Sequence, residues 1–352
     1  MRTTLTLALL LALGAPAAAQ DIVRHAREEA IRIRSVLRHV ADDAQRNRAS
    51  RQEGPSQTER INRTLRIGTN GELDVANISG DITITRGSGS DVIVEAIKTA
   101  RGESDEDARE LLQLVQVEFV ERSNRAEVRT RYPEGEERRR NNRRNISVNV
   151  TFNISVPVNT RVRAHSISGS VSAREVKGDL SLESVSGAVR IASGGRVSSG
   201  KSISGDVEVT DTSVEGMLQA STVSGEVILR RIKAGQLEAG SISGSVVVDD
   251  VECPRLEAQT VSGDVRFSGA LTRNSRFELT SHSGNITIAI TGGVGFEVEG
   301  NSFSGSIRSD FPLTLQGSDS RRPNRTIRGV YGDGSAVLDL TTFSGNIVIS
   351  KR

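Results

Sequence analysis

The chain has 352 residues, a formal net charge of +2 at pH 7 and only 3% aromatic residues, with no tryptophan. The net charge neither favours nor excludes a charged partner, whereas a single cysteine excludes an internal disulfide. With so few aromatic side chains, the core must consist of thin layers of Val, Ile, Leu and Ala. Such a core favours a stack of repeats over a globular domain.

Residues 1–20 have the pattern of a secretory signal peptide. Arg2 supplies the positive end, residues 5–13 form an apolar run too short to span a bilayer, and residues 17–19 are three alanines typical of a cleavage site. We therefore expect an exported protein, periplasmic or extracellular, whose mature chain begins near residue 20. No later stretch is apolar enough for a transmembrane helix.

Residues 21–60 are predicted to form an Arg-rich helix and a polar linker. Apolar residues recur at steps of three and four over residues 21–48, and residues 51–60 contain Gly54-Pro55. The helix can be a docking arm, a cap or a membrane-surface helix. Acidic residues among the arginines favour docking or self-association.

Residues 61–160 are predicted to hold the first repeat and an N-terminal capping region. The predicted elements are a strand over residues 91–96, a short helix with Ser104 as N-cap, strands over 116–121 and 126–131, and a long strand ending at Pro157. The Arg-rich run at residues 138–144 is interpreted as a solvated loop, with contact to anionic envelope polymers, lipid head groups or nucleic acid as the alternative.

A repeat dominates the rest of the chain: an apolar residue, then Ser-Gly, then a β-branched residue two positions after the glycine. The motif glycines are Gly80, Gly169, Gly187, Gly205, Gly225, Gly244, Gly263, Gly284, Gly305 and Gly345. From Gly169 to Gly305 they are spaced by 18 to 21 residues. Such spacing is typical of one structural unit stacked many times, so residues 161–352 are predicted to be a β-solenoid. Residues 316–328 interrupt it as a polar loop.

Each position of the repeat, counted from the motif glycine as zero, has its own chemistry. Position +2 is always Val or Ile and position −7 is nearly always apolar, which predicts two inward-facing strands. Their inward phases differ by one residue, so we expect a bend between positions −3 and −2. Position −3 carries Ser, Thr or Asn, suited to hydrogen bonds at a bend. In the Gly205 repeat this interpretation places Ile203 and Val207 in the core and Asp206 outside. The glycine supplies either a positive φ or room for a close backbone approach.

Three passages resemble the bacterial putative adhesin domain family: residues 80–84 with 92–96, residues 154–162 leading into Gly169, and residues 332–347. The resemblance covers residues 61–352. It implies a right-handed single-stranded β-helix in secreted or envelope proteins of unknown function, and it supplies no catalytic residues, cofactor or metal.

Catalytic and metal-binding patterns are weak. Asp206 and Glu226 occupy position +1 of adjacent repeats, where their carboxylates can approach the separation found in retaining glycosidases. Ala188 and several serines at the same position argue against a required acid. The acidic residues are too irregular for a calcium repeat.

The remaining candidate residues also favour structural roles. The four histidines, His25, His39, His165 and His282, are scattered, and Cys253 is interpreted as a buried small side chain. Because Cys253 lies inside the repeats, it cannot be a lipid-bearing cysteine at the cleavage site.

The sequence therefore predicts a non-enzymatic binding or adhesion surface at the bacterial cell envelope. The expected partner is a protein or polysaccharide of the envelope or cell surface, not nucleic acid. The alternatives are a carbohydrate-active enzyme on the same scaffold, a scaffold that self-associates through its terminal coils or N-terminal helix, and a stress sensor acting through residues 21–60.

Overall fold

The computed structural model describes residues 54–133, 147–315 and 325–352. From Pro55 onward, the described residues belong to one compact unit. The predicted signal peptide, the Arg-rich helix and the run at residues 138–144 lie outside the described residues. In the described part of the chain, no helix is long and apolar enough to cross a membrane.

The described chain is almost entirely β-structure, with one helix, α1 (Asp105–Leu114). Before the main run of repeats it forms β1 (Ser56–Arg66), β2 (Glu72–Ser79), β3 (Ile82–Arg86), β4 (Asp91–Arg101), β5 (Gln116–Arg122), β6 (Arg125–Arg131) and β7 (Val148–Val156). The central repeats form β8 (Arg161–Ser168), β9 (Val171–Arg174), β10 (Asp179–Ser184), β11 (Val189–Ala192), β12 (Arg196–Ser202), β13 (Val207–Thr222), β14 (Val227–Ser243), β15 (Val246–Glu252), β16 (Arg255–Ser262) and β17 (Val265–Ala270). The last part forms β18 (Arg276–Ser283), β19 (Ile286–Thr291), β20 (Phe296–Ser304), β21 (Ile307–Ser309), β22 (Thr314–Leu315), β23 (Thr326–Tyr331), β24 (Ala336–Ser344) and β25 (Ile347–Lys351).

Each repeat contributes one strand before its glycine and one after it, and like strands pair in parallel. Val171 pairs with Val189 and Val189 with Val207, so the paired residues are 18 positions apart in sequence. Side chains alternate between buried and exposed along each strand, because successive residues of a strand point to opposite faces. The buried residues at positions −7, −5, +2 and +4 belong to one continuous hydrophobic core.

One apparent break in this pattern is a β-bulge. Position −7 of the Gly205 repeat is Ser198, yet Leu180 pairs with the buried Val197 and Ser181 with Ser199. Ser198 is the extra residue, and its hydroxyl donates to the Leu180 carbonyl at 2.9 Å. The bulge keeps an apolar residue in the core despite the sequence shift.

The N-terminal end of the stack is closed by strands that are out of chain order. β2 lies between β6 and β8, and β3 lies between β7 and β9, so the first repeat is sandwiched on both sides. β4 then pairs antiparallel with β7, and β1 pairs antiparallel with β4. This arrangement covers the first repeat, which would otherwise expose unpaired strand edges.

Helix α1 packs against β1 and β4 within this region. Ser104 is its N-cap and accepts a hydrogen bond from the Asp107 amide, which confirms the predicted start. The last turn of the helix has no basic residue. Buried Lys98 of β4 instead donates to the carbonyls of Leu112 and Val115, at 2.8 and 3.0 Å, and pairs with Glu59. This lysine ties the helix C-terminus to the sheet.

At the C-terminal end of the stack the strands are also out of chain order. β24 lies between β18 and β20, and β25 lies between β19 and β21. The last repeat in sequence, that of Gly345, is therefore inserted between the Gly284 and Gly305 repeats. β23 pairs antiparallel with β20 and with β22, which extends the sheet past the Gly305 repeat.

Two expected loops are partly strand. Residues 56–60, predicted as linker, belong to β1, because their backbone pairs with β4 over its full length. Residues 326–328, predicted as loop, begin β23 on β20. In both cases a strand that is distant in sequence supplies the backbone hydrogen bonds, so the local polar sequence did not reveal the strand.

Candidate functional site

The corner that contains the motif glycine is built by close contact between repeats. A Cβ added to any motif glycine from Gly169 onward would collide with the carbonyl oxygen of the motif glycine in the adjacent repeat. Among the ten motif glycines only Gly80 and Gly169 have positive φ, so the shared requirement at the corner is space rather than a left-handed backbone.

A column of hydroxyl side chains holds this corner together. We call the position −3 residues the hydroxyl column: Ser166, Ser184, Ser202, Thr222, Ser241, Thr260, Ser281, Thr342 and Ser302, with Asn77 in the first repeat. From Ser184 onward, each hydroxyl donates to the motif-glycine carbonyl of the adjacent repeat at 2.8–3.0 Å. The Asn77 amide donates to two carbonyls, those of Gly80 and Val150, both at 2.7 Å. All members of the column are buried, so each bond satisfies a polar group removed from water.

The bend lies later than expected in most repeats, and the assignment of Ile203 to the core was wrong. In seven repeats the strand continues to position −1, so position −2 faces outward. In the Gly187, Gly205 and Gly225 repeats the strand ends at position −3, where the bend was expected. Even there Ile203 is half-buried on the surface rather than in the core, whereas Val207 is fully buried as predicted.

Position −2 therefore forms an apolar line on the outside of the stack. We call it the ridge; in spatial order it comprises Ile78, Ile167, Val185, Ile203, Val223, Ile242, Val261, His282, Phe343 and Phe303. Apart from Val185, all are half-buried or exposed. At the usual strand spacing the ridge is about 43 Å long. An exposed serine follows each ridge residue from Ser168 onward.

The ridge ends in three stacked rings. His282 stacks on Phe343 with ring centroids 4.9 Å apart, and Phe343 stacks on Phe303 at 4.7 Å. The exposed fractions are 56% for Phe303 and 46% for Phe343. Phe343 lies between the other two because the last repeat is inserted between its neighbours. His282, which replaces the apolar residue of the motif in the Gly284 repeat, thus begins an aromatic stack.

Position +1, which held the candidate acid pair, has a structural arrangement. Asp206 Oδ1 accepts a hydrogen bond from the Glu226 backbone amide at 2.9 Å. The same bond links Asp81 to Ser170 and Asp264 to Asn285, at 2.8 and 2.9 Å. These side chains hold the next repeat in register. Asp206 and Glu226 are brought to adjacent repeats, as predicted, but the Asp206 carboxylate binds backbone rather than a second acid.

The other candidates occupy separate places. Cys253 is buried, as predicted, and burial raises the pKa of its thiol to about 12. His165 lies 3.9 Å from Glu183 on the surface, and His25 and His39 lie outside the described residues. Within the described ranges, no group of three His, Cys, Asp or Glu side chains is placed to hold a metal ion.

A second corner, six residues after the motif glycine, was missed from the sequence. Asp211, Arg231 and Asp250 stack there in successive repeats, all with φ near +50° (53°, 50° and 53°). The Arg231 guanidinium bonds both carboxylate oxygens of Asp211, at 2.6 and 2.9 Å, and lowers the pKa of that carboxyl. These residues line an open groove of 570 Å³. Non-glycine residues in this conformation are uncommon, and sequence alone gave no signal for them.

Comparison with known proteins adds the family. The model of the family described as Toastrack DUF4097 matches residues 70–350. The chain belongs to this family. That assignment confirms the resemblance seen in the repeat, the Val-Pro strand end and the closing passage. No curated protein matches the chain.

Several solved structures match this Toastrack chain over most of its length. A putative adhesin from Bacteroides fragilis is 13% identical, covers 84% of this chain and 97% of its own, and has a TM-score of 0.37. A putative lipid binding protein from Parabacteroides distasonis is 14% identical, with the same coverage and a TM-score of 0.40. A putative cell adhesion protein from Clostridium sporogenes is 9% identical, covers 84% of this chain and all of its own, and has a TM-score of 0.22.

Proposed function

We propose that this Toastrack protein is an exported, non-enzymatic component of the bacterial cell envelope that binds its partner, a protein or polysaccharide, through the ridge. The observation that carries the proposal is the ridge itself: a mostly apolar line that is half-buried or exposed in every repeat except at Val185 and ends in two exposed phenylalanines. Contiguous exposed apolar surface marks interaction sites in soluble proteins.

Two further features support this function. Three of the four position +1 acids, Asp81, Asp206 and Asp264, bind backbone amides, which gives them a structural rather than a catalytic use. The proposed architecture is a right-handed β-solenoid with coils of 18 to 21 residues. Its support is the parallel register, which joins residues 18 apart at Val171–Val189 and 21 apart at Leu256–Phe277. A solenoid presents an extended binding surface.

Co-sedimentation with isolated envelopes of the source bacterium tests the proposal. The mature chain is compared with a ridge variant, Phe303→Ser with Phe343→Ser, and with a control, Ile93→Ser with Met217→Ser. Ile93 and Met217 are also exposed, at 55% and 50%, but lie off the ridge. We expect the ridge variant to lose about tenfold in affinity, as for truncated aromatic contacts, and the control to bind normally.

Equal binding by all three proteins, or equal loss in both variants, would contradict the proposal. Digestion of the envelopes with protease or with glycosidases before sedimentation then shows whether the bound component is protein or polysaccharide. Circular dichroism before sedimentation confirms that each variant retains its strand content.

A further inference from the structure

A second feature lies beside the ridge in the last five repeats in space. Position −6 carries an acidic residue in each: Glu238, Glu257, Glu278, Asp339 and Glu299, which we call the acidic ladder. Their backbones are in register, since Glu238 pairs with Glu257, Glu257 with Glu278, Glu278 with Asp339 and Asp339 with Glu299. The ladder is continuous only because Asp339 is inserted between Glu278 and Glu299.

The acidic ladder is only partly neutralised. Asp339 pairs with Arg276, and Glu299 with Arg328. Among the described residues, Glu238, Glu257 and Glu278 form no ion pair within 4 Å. Burial, together with repulsion from Glu238 and Glu278, raises the pKa of Glu257. Like charges directly opposite each other destabilise a sheet, so this stack costs stability in the isolated protein.

A shallow trough separates the acidic ladder from the ridge. Its floor is position −4, occupied here by Gly240, Gln259, Thr280, Thr341 and Asn301. These side chains are short, except for Gln259, which is buried and bonded to Glu257. In the first five repeats the same position carries Ala76, His165, Glu183, Lys201 and Ser221, and position −6 is acidic only at Asp74, so the combination of this floor with a continuous acidic ladder is confined to the last five repeats.

The trough has the dimensions of an α-helix. Positions −6 and −2 are four residues apart on an extended strand, about 13 Å, whereas a helix with its side chains is about 10–12 Å wide. Adjacent repeats are about 4.8 Å apart, close to the helical pitch of about 5.4 Å. One basic side chain per turn can therefore face one rung of the acidic ladder, while an apolar stripe rests on the ridge.

We propose that this trough binds a basic amphipathic helix of a partner protein. Its apolar stripe contacts the ridge from Ile242 to Phe303, and its Lys or Arg residues pair with Glu238, Glu257 and Glu278. Charge complementarity selects this occupant: an anionic lipid surface or acidic polymer would be repelled by the acidic ladder. The inference rests on the proposed function only in placing the binding face on the ridge.

Binding of a synthetic peptide to the mature chain tests this inference. The probe is an 18-residue peptide, about 27 Å as a helix, with leucines on one stripe and lysines on the adjacent stripe. Its controls are a scrambled peptide of the same composition and a peptide with glutamate in place of lysine. Fluorescence anisotropy measures each dissociation constant at low and at physiological salt.

Matched protein variants distinguish the contribution of the acidic ladder to peptide binding from the effect of the protein's net charge. The ladder variant is Glu238→Gln, Glu257→Gln and Glu278→Gln, and the control is Glu121→Gln, Glu183→Gln and Glu215→Gln, which removes three charges from exposed sites elsewhere. We expect the ladder variant to bind the amphipathic peptide about tenfold more weakly than wild type, and the control less than about twofold. Removing stacked like charges does not threaten folding, and thermal unfolding verifies this.

Equal loss in the two triple variants, or equal binding of the scrambled peptide, overturns the inference. If the Phe303 and Phe343 variant loses envelope binding while the peptides are not discriminated, the proposed function stands and the helical partner is rejected. If peptide binding requires the acidic ladder but envelope binding is unchanged in the Phe303 and Phe343 variant, the proposed function is rejected while the binding of a basic helix stands.

Discussion

Two neighbouring columns of the repeat reverse the usual distribution of polarity. The hydroxyl column is polar and buried, whereas the ridge, one residue later, is apolar and half-exposed. The difference follows from the neighbours of each column. The hydroxyls face the carbonyls of closely packed glycines and satisfy them, so they are needed for folding. The ridge faces solvent and satisfies no internal group, which is why we assign it to binding.

The largest effect should follow from filling the space between two motif glycines. In Gly225→Ala, the new Cβ would overlap the Gly205 carbonyl, which is backbone and cannot rotate away. We expect a loss of at least about 3 kcal/mol in the free energy of unfolding, the upper range for overpacking. Urea denaturation followed by circular dichroism measures it.

Gly216→Ala is the matched control for that change. Gly216 lies within β13, the strand that precedes the Gly225 corner, and a Cβ there would meet no atom within 4 Å. We expect no loss, or a small gain from reduced freedom of the unfolded chain. Similar midpoints for the two variants would show that the glycine contact does not maintain the corner.

Removal of one buried hydroxyl should rank second. Thr222→Val keeps the shape of the side chain but removes the 2.8 Å bond to the Gly205 carbonyl. No backbone amide of the described residues donates to that carbonyl. We expect a loss of about 1–3 kcal/mol, the cost of leaving a buried polar group unsatisfied. Thr222→Ser should recover most of it, and a variant pair with equal stability would argue against the hydrogen bond.

The same corner shows how far sequence reasoning reached. The period, the two strands per repeat and the inward positions −7 and +2 were predictable, because each repeats ten times and packing restricts each to few residue types. The bend was misplaced in the seven repeats whose strand continues to position −1, and the residue at position −2 was wrongly assigned to the core. When an apolar residue follows a serine, the sequence alone favours the apolar side chain as the buried one. Only the structure shows that the serine hydroxyl is buried instead, because it donates to a glycine carbonyl of the adjacent repeat.

The repeat pattern could not show the order in which the repeats stack in space. Nothing in residues 336–352 distinguishes an end repeat from an inserted one, since insertion depends on pairing with both β18 and β20. The aromatic stack and the acidic ladder both depend on that insertion. The sequence shows each residue of the aromatic stack and the acidic ladder, but it does not show which residues lie next to it in the fold.

Neutralising one rung of the acidic ladder should have a smaller, pH-dependent effect. The pKa of Glu257 is raised in the folded protein, so its ionised form opposes folding and its protonated form does not. Glu257→Gln should therefore be more stable than wild type at pH 7, by about 0.2–1 kcal/mol. As the pH falls through the raised pKa, Glu257 of the wild-type protein becomes protonated and its destabilising charge is lost. The difference should vanish below the unfolded-state pKa of about 4.3.

Thermal unfolding of Glu257→Gln across this pH range, with Glu215→Gln as the charge-matched control, checks the expectation. A Glu257→Gln protein that is no more stable than wild type at pH 7 would mean that the acidic ladder carries no repulsion. The helical partner proposed above would then lose one of its supports, although the peptide experiment would still decide it.

The smallest effect is expected from the reverse exchange in the ridge. Val223→Thr makes the same isosteric change as Thr222→Val in the opposite sense, one residue further along the chain. The Val223 side chain is half-exposed, so a hydroxyl there can bond to water and leaves no buried group unsatisfied. We expect a stability change within about 0.5 kcal/mol, as for surface substitutions. Urea denaturation of the two single variants side by side then compares the columns directly. A loss at Val223 equal to that at Thr222 would mean that the ridge is part of the folding core, and its assignment as a binding surface would have to be withdrawn.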